Sequence, residues 1–184
     1  MFNLSILEVV LSIEKTSVIE EKQFVYQHYH NFFGNLQELE LDIGNLNFHS
    51  LENQKNYPRK RLSYKEKLSK QLHIFFMNSK ITKALEKKFN TNLRFESVDI
   101  WIDNKNYELL PHIDNDSIKL ALQIYLGNNH PGTSLYQNKD DKTSFYTFKF
   151  KENHGYAMLL NDKTFHGVDK IEKDGRISLY ARYS

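Results

Sequence analysis

There is no cysteine among the 184 residues. Disulfides are therefore excluded, and so are thiolate zinc sites and iron–sulfur clusters. Any metal has to be held by His, Asp or Glu. Long hydrophobic runs are also missing, and none approaches the roughly 20 residues a bilayer requires. The apolar stretch Leu4 to Ile13 is interrupted by Glu8, has no Lys or Arg before it and no small-residue cleavage site after it, so no signal peptide is expected. Charge of one sign is scarce too: the formal net charge is +2, too small a field to argue for nucleic acid. No stretch is rich enough in Gly, Pro or Ser to divide the chain, and neither repeats nor low complexity are visible. The expectation is one domain over residues 1–184, in a soluble cytoplasmic protein with no membrane association.

The residues that are present suit a folded core. Hydrophobic residues make up 40% and charged residues 26%, the balance of a globular chain and not a disordered one. The 13 Phe and 11 Tyr suit a β-rich core and a pocket with aromatic walls.

In the first half, Ile6, Val9, Val10 and Ile13 have helical spacing, but ILEVVLSI is also β-branched, which leaves its type open. A helix is predicted through VIEEKQFVYQHYHNFF, capped by Thr16 or Ser17 and ended by Gly34. Residues 40–50 alternate as one or two short strands. Residues 51–64, with Pro58 and the basic run Arg59-Lys60-Arg61, are predicted to be a solvated surface loop. Helices follow from Ser63 to Met77 and after Asn78 or Ser79, the second carrying Ile81, Ala84, Leu85 and Phe89 on one stripe.

After Asn92 the period changes to two. FESVDIWID, LALQIYLG, SFYTFKFK, YAMLLN and RISLYARY read as strands separated by short turns such as NNHPG and EKDG. The fold class is α+β with a mainly β core. Residues 1–92 form a mostly helical support, and residues 93–184 form a jelly-roll barrel, a double-stranded β-helix enclosing a ligand cavity.

The chemistry-bearing residues lie in that second half. On an extended strand residues i and i+2 share a face, so His112-x-Asp114 sets an imidazole beside a carboxylate. A second imidazole, His166, follows an apolar strand. Two His and one carboxylate make the facial triad of non-haem Fe(II) sites. The H-x-D pattern alone does not select a site, because His28-x-His30 and His154 offer similar donors. In RISLYARYS, however, Arg176, Ser178, Tyr180 and Arg182 share a face. An inward guanidinium needs a buried anion. A bidentate fork with a hydroxyl two residues on suits a carboxylate.

H-x-D, then about fifty residues to a second His, then ten to R-x-S, resembles the Fe(II)- and 2-oxoglutarate-dependent oxygenases. LQIYLG, GTSLY and LLNDKTFHGV look like the family's segments around and between the ligands, with a flavour of its prolyl-4-hydroxylase-like branch. The resemblance covers roughly Val98 to Ser184. It implies that His112, Asp114 and His166 ligate Fe(II). It also implies that 2-oxoglutarate and O2 take the open sites, and that Arg176 and Ser178 hold the far carboxylate. Tyr125 lies where related prolyl hydroxylases carry a tyrosine on that carboxylate, and Gln123 shares its face. The implied activity is hydroxylation of an unactivated C–H bond, on a small molecule or a peptide, with release of succinate and CO2. Asp114 favours hydroxylation, since related halogenases replace it with a small residue. Two alternatives stand beside this reading. Arg176 and Arg182, six residues apart, match the arginine spacing of alkylation-repair demethylases acting on nucleic acids, and cupin-like metal- or ligand-binding proteins share the barrel class. Oligomeric state is not readable.

Several neighbouring residues receive plainer expectations. Trp101 is expected in the core, Asp99 and Asp103 solvated, and His130 exposed in its Pro-Gly turn. Tyr107 is placed to touch substrate, and Asn161 and Lys163 approach His166.

Overall fold

The computed structural model describes residues 4–34, 36, 45–50 and 58–184. The ambiguous N-terminal stretch is a helix, α1 (Ile6–Lys15). Ser5 caps it by accepting from the Glu8 amide, with Glu8 in its first turn and Lys15 in its last, each placed well for the helix dipole. Val9 and Ile13 face the core.

The helix expected next is instead a β-hairpin, β1 (Val18–Glu21) and β2 (Phe24–Tyr29), turning at Lys22 with φ 55°. Strand β2 is apolar on both faces, so the sequence shows no clean alternation. Phe24 and Tyr26 pack into one cluster, while Val25 and Tyr29 pack into another on the opposite side. The buried amide of Gln27 donates to the carbonyls of Ile13 and Thr16. It thereby satisfies C-terminal groups of α1 and holds the helix to the sheet.

Strand β3 (Phe48–Ser50) realises the end of the expected strand region, whose residues 40–44 lie outside the described residues. Residues 51–57 of the expected loop also lie outside them. The basic run is not a loop: Arg59, Lys60 and Arg61 belong to β4 (Arg59–Leu62), paired with β3 on one side. Helices α2 (Lys67–Phe76) and α3 (Ser79–Phe89) follow as expected, with Asn78 as the N-cap of α3 and Asn90 closing it at φ 47°.

The remaining strands are β5 (Phe95–Asp103), β6 (Leu109–His112), β7 (Leu120–Tyr125), β8 (Thr133–Leu135), β9 (Tyr146–Thr147), β10 (Gly155–Leu159), β11 (His166–Val168) and β12 (Arg176–Tyr183). Every pairing is antiparallel. One sheet runs β1-β2-β10-β7-β12-β5-β4-β3 and the other β6-β11-β8-β9. Residues of all three helices share one buried cluster with Val98, Ile100, Leu122, Ile124, Leu179 and Ala181 of the large sheet. The other face of that sheet packs Tyr26, Tyr125, Tyr156 and Met158 against Leu135, Phe148 and Phe150. No helix among the described residues is long and apolar enough to cross a membrane.

Candidate functional site

Strand pairing brings the distant ligand candidates together. His166 on β11 is the cross-strand partner of His112 on β6. Gly167 makes this approach possible, because a Cβ there would lie 2.4 Å from the Leu109 carbonyl oxygen. The two imidazole centroids are 4.6 Å apart. Asp114 reaches both: its Oδ1 lies 3.4 Å from His112 Nε2 and its Oδ2 lies 3.7 Å from His166 Nε2.

Each Nδ1 faces a backbone carbonyl, Leu110 at 3.1 Å and Thr164 at 3.0 Å. With Nδ1 so held, Nε2 points at the carboxylate and at the space between the three side chains, donating to Asp114 when the imidazole is charged and offering a lone pair when it is neutral. Tyr180 donates a 2.5 Å hydrogen bond to Asp114 Oδ2. Burial alone would raise the Asp114 carboxyl, but hydrogen bonds from His112 and Tyr180 and the imidazole charges outweigh it and hold the carboxyl well below its usual range. Burial lowers His166 below an ordinary histidine. For His112 burial acts the same way, but its bonds to Asp114 and the Leu110 carbonyl win and raise it. Tyr180 is pushed well above an ordinary phenol, by burial first and Asp114 second, so it remains a donor.

The triad opens into a cavity of about 210 Å³ lined by Gln123, Thr133, Tyr156 and Tyr180, with Arg59, Trp101 and Arg182 among its walls. Gln123 is fixed by three bonds: it donates to Ser178 Oγ and accepts from Thr133 Oγ1 and Tyr156 Oη. Ser178 is buried beneath it. Tyr125, the cross-strand partner of Ser178, is wholly buried and accepts from the Thr133 amide at 3.0 Å. Gln123 thus lines the cavity, whereas Tyr125, Ser178 and Arg176 are absent from its wall.

Arg176 is 0% exposed, as an anion-binding residue in a core would be, but the fold supplies a protein anion for it. Its Nη1 lies 2.6 Å from Asp103 Oδ2, and its Nε donates to the Pro131 carbonyl. Arg59 holds the other oxygen of Asp103 at 2.6 Å. Asp99 has a looser counterpart, with Arg182 2.5 Å from its Oδ2 but Arg61 3.9 Å from its Oδ1. Neither aspartate is solvated as expected, with Asp99 3% and Asp103 0% exposed. Register sets the first group, since β5 lies between β4 and β12 with Asp103 level with Arg59 and Arg176, whereas Asp99 is level with Tyr180 and is reached by Arg182 from two residues along β12. Each cluster carries two guanidiniums against one carboxylate. One nitrogen of Arg176, Nη2, is buried with no hydrogen-bond partner among the described residues. Trp101, expected in the core, is only partly buried and lines the cavity, with Arg59 over its ring at 5.0 Å. His130 is half-buried rather than exposed. Tyr107 is 1% exposed beneath Arg59, away from the cavity wall. Asn161 and Lys163 bond within their own turn and reach no triad residue.

Two residues stand out that the spacing argument missed, Tyr180 on Asp114 and Asp103 on Arg176. The signal was in the text. Tyr180 and Arg176 share the β12 face with Ser178, and Asp99, Trp101 and Asp103 alternate on β5.

No protein-family model matches the chain. No curated protein matches it either. The fold, in contrast, is shared with solved structures. A 2OG-Fe(II) oxygenase family oxidoreductase from Burkholderia pseudomallei superposes with TM-score 0.65 at 14% identity, covering 98% of this chain and 90% of that one. HygX from Streptomyces hygroscopicus, with nickel, 2-oxoglutarate and hygromycin B bound, gives TM-score 0.59 at 12% identity over 86% of this chain and 82% of its own. A prolyl hydroxylase from Trichoplax adhaerens, in complex with a hypoxia inducible factor peptide fragment, gives 0.55 at 14% identity over 97% and 88%.

Proposed function

We propose that this protein is an Fe(II)- and 2-oxoglutarate-dependent dioxygenase that hydroxylates an unactivated C–H bond of a small molecule or a protein side chain. In this reading the two sheets are the walls of a double-stranded β-helix, and the N-terminal helices support its large sheet. The observation that carries the proposal is the convergence of His112 Nε2, Asp114 and His166 Nε2 on one point, with both histidine Nδ1 atoms occupied elsewhere. One ligand atom from each residue lies within 4.8 Å of the others, so an inward movement would let them bind one ion with bonds of about 2.0–2.2 Å. Bound Fe(II) would supply dioxygen activation coupled to oxidative decarboxylation of the cosubstrate, so that C–H, O2 and 2-oxoglutarate become C–OH, succinate and CO2.

The protein's own residues divide the remaining work. Tyr180 orients Asp114. Arg176, buried and absent from the cavity wall, would offer its unpartnered Nη2 to the far carboxylate once that wall yields, and the net positive charge of the Arg59–Asp103–Arg176 cluster favours an added anion. Ser178 and Tyr125 would assist once their present partners yield, and Gln123 supports that end of the cavity. A volume of about 210 Å³ is smaller than the roughly 300–1,000 Å³ of sites that enclose a whole ligand. It suits a small dicarboxylate, with the prime substrate at the mouth beside Trp101, Arg59 and Arg182. HygX was solved with hygromycin B bound and the Trichoplax prolyl hydroxylase with a peptide fragment, which supports keeping both a small molecule and a protein side chain in the proposal.

Anaerobic titration tests this. Fe(II) and 2-oxoglutarate together should give a weak visible charge-transfer band, lost in Asp114→Ala and His166→Ala along with succinate formation. Full turnover by either variant would refute the assignment.

A further inference from the structure

The two decoy histidine motifs of the sequence also come together. His28 and His30 project from the same face of β2 and its continuation. The β2–β10 register pairs Gly155 with Tyr29 and Tyr156 with His28. Continued by one residue, it sets His154 opposite His30. The ring centroids of His30 lie 4.6 Å from His28 and 5.1 Å from His154, and one ring nitrogen from each of the three lies within 4.8 Å of the others.

We propose that His28, His30 and His154 form a second metal site, selective for a divalent transition metal of the zinc class and separate from the His112–Asp114–His166 centre. Two of the ring nitrogens, His28 Nε2 and His154 Nδ1, are buried with no hydrogen-bond partner among the described residues, and His154 is only 9% exposed. Buried polar atoms are ordinarily paired, so two orphans on adjacent imidazoles mark a missing partner. The Tyr146 hydroxyl lies 2.9 Å from His28 Nδ1 and can fix the tautomer that keeps a lone pair on Nε2. The donors are all imidazole, with no carboxylate among them. That set suits zinc, copper or nickel and not magnesium or calcium.

A tetrahedral ion would want the nitrogens about 3.3 Å apart. His30 is exposed and can supply that closure by a side-chain rotation, and its exposure leaves a path to solvent. The ion would tie the end of β2 to the turn before β10. There Asn153 already accepts from the Phe32 and Phe33 amides, through its carbonyl and its side chain respectively. Nothing in this site depends on the oxygenase reading.

The test is metal stoichiometry on the full chain. Chelator-stripped protein is titrated with zinc against a chromogenic competitor, with bound metal counted by mass spectrometry. The wild type should hold two equivalents, because the facial triad also accepts zinc. His30→Ala, at an exposed position, should hold one and keep the wild-type circular dichroism spectrum. His112→Ala/His166→Ala should also hold one, lost when His30→Ala is added. Cobalt substituted into the double variant should show the visible bands of a nitrogen-rich four-coordinate ion. A His112→Ala/His166→Ala protein that binds no zinc, or a His30→Ala protein that binds as much zinc as the wild type, overturns the proposal.

Discussion

The Tyr180 hydroxyl donates to Asp114 Oδ2 at 2.5 Å, across the gap between β12 and the segment after β6. That oxygen is the one nearest His166, so the phenol fixes the carboxylate's rotation between the two imidazoles. Partners of this kind are worth about 10–100-fold in metal affinity. Tyr180→Phe should weaken Fe(II) or Co(II) binding by a factor in that range while leaving the fold intact. Isothermal titration of anaerobic protein measures it, and unchanged affinity would remove Tyr180 from the site.

Arg176 has two partners to serve, Asp103 in the structure and a carboxylate in the proposed function. Arg176→Lys keeps a positive charge against Asp103 but loses the planar fork. The variant should fold and bind metal, with the KM for 2-oxoglutarate raised at least about tenfold, the equivalent of about 1.4 kcal/mol. Steady-state succinate assays resolve this. A KM equal to the wild-type value would assign Arg176 to structure alone.

Gly167 lies against the backbone of β6, where a Cβ would meet the Leu109 carbonyl at 2.4 Å. Backbone cannot swing aside as a side chain can. Gly167→Ala should therefore push β6 away from β11, costing about 1–3 kcal/mol of stability. It should weaken metal binding in addition, because His112 moves with β6. Denaturant melts and metal titration on the same preparation should both shift. A variant with wild-type metal affinity contradicts the argument.

In metal-free protein, acid should destabilise the fold through His28. Burial, with the neighbouring His30 and His154 charges adding to it, lowers His28 from 6.5 to about 4. Between those values the unfolded chain takes up a proton that the folded chain refuses. Stability therefore falls as pH drops from about 6.5 to about 4. His28→Phe keeps the ring contacts and should flatten the slope of melting temperature against pH over that range. An unaltered slope would show that His28 does not report on folding.

The proposed iron ligands were legible because close spacing is a local property of the text. H-x-D keeps its two donors together even though β6 ends at His112 and Asp114 lies just beyond it. What stayed hidden depended on pairing. Arg59 and Arg61 read as a basic loop because the residues of β5 that pair with them and make β4 a strand, Asp103 and Trp101, lie some forty residues away. Asp99 and Asp103 read as solvated for the same reason, since their guanidinium partners come from β4 and β12. The β1–β2 hairpin was mistaken for a helix because β2 buries both faces, and caps and acids nearby supported the wrong period. His28, His30 and His154 could not be grouped without the β2–β10 register.

Two guanidiniums share the single Asp103 carboxylate, and because Arg176 is wholly shielded from water the repulsion between them is poorly screened. An anion brought within reach would relieve it. If 2-oxoglutarate is the cosubstrate, as proposed, it would also complete this charge pattern, and the protein should be harder to melt with it than without, even when no turnover takes place.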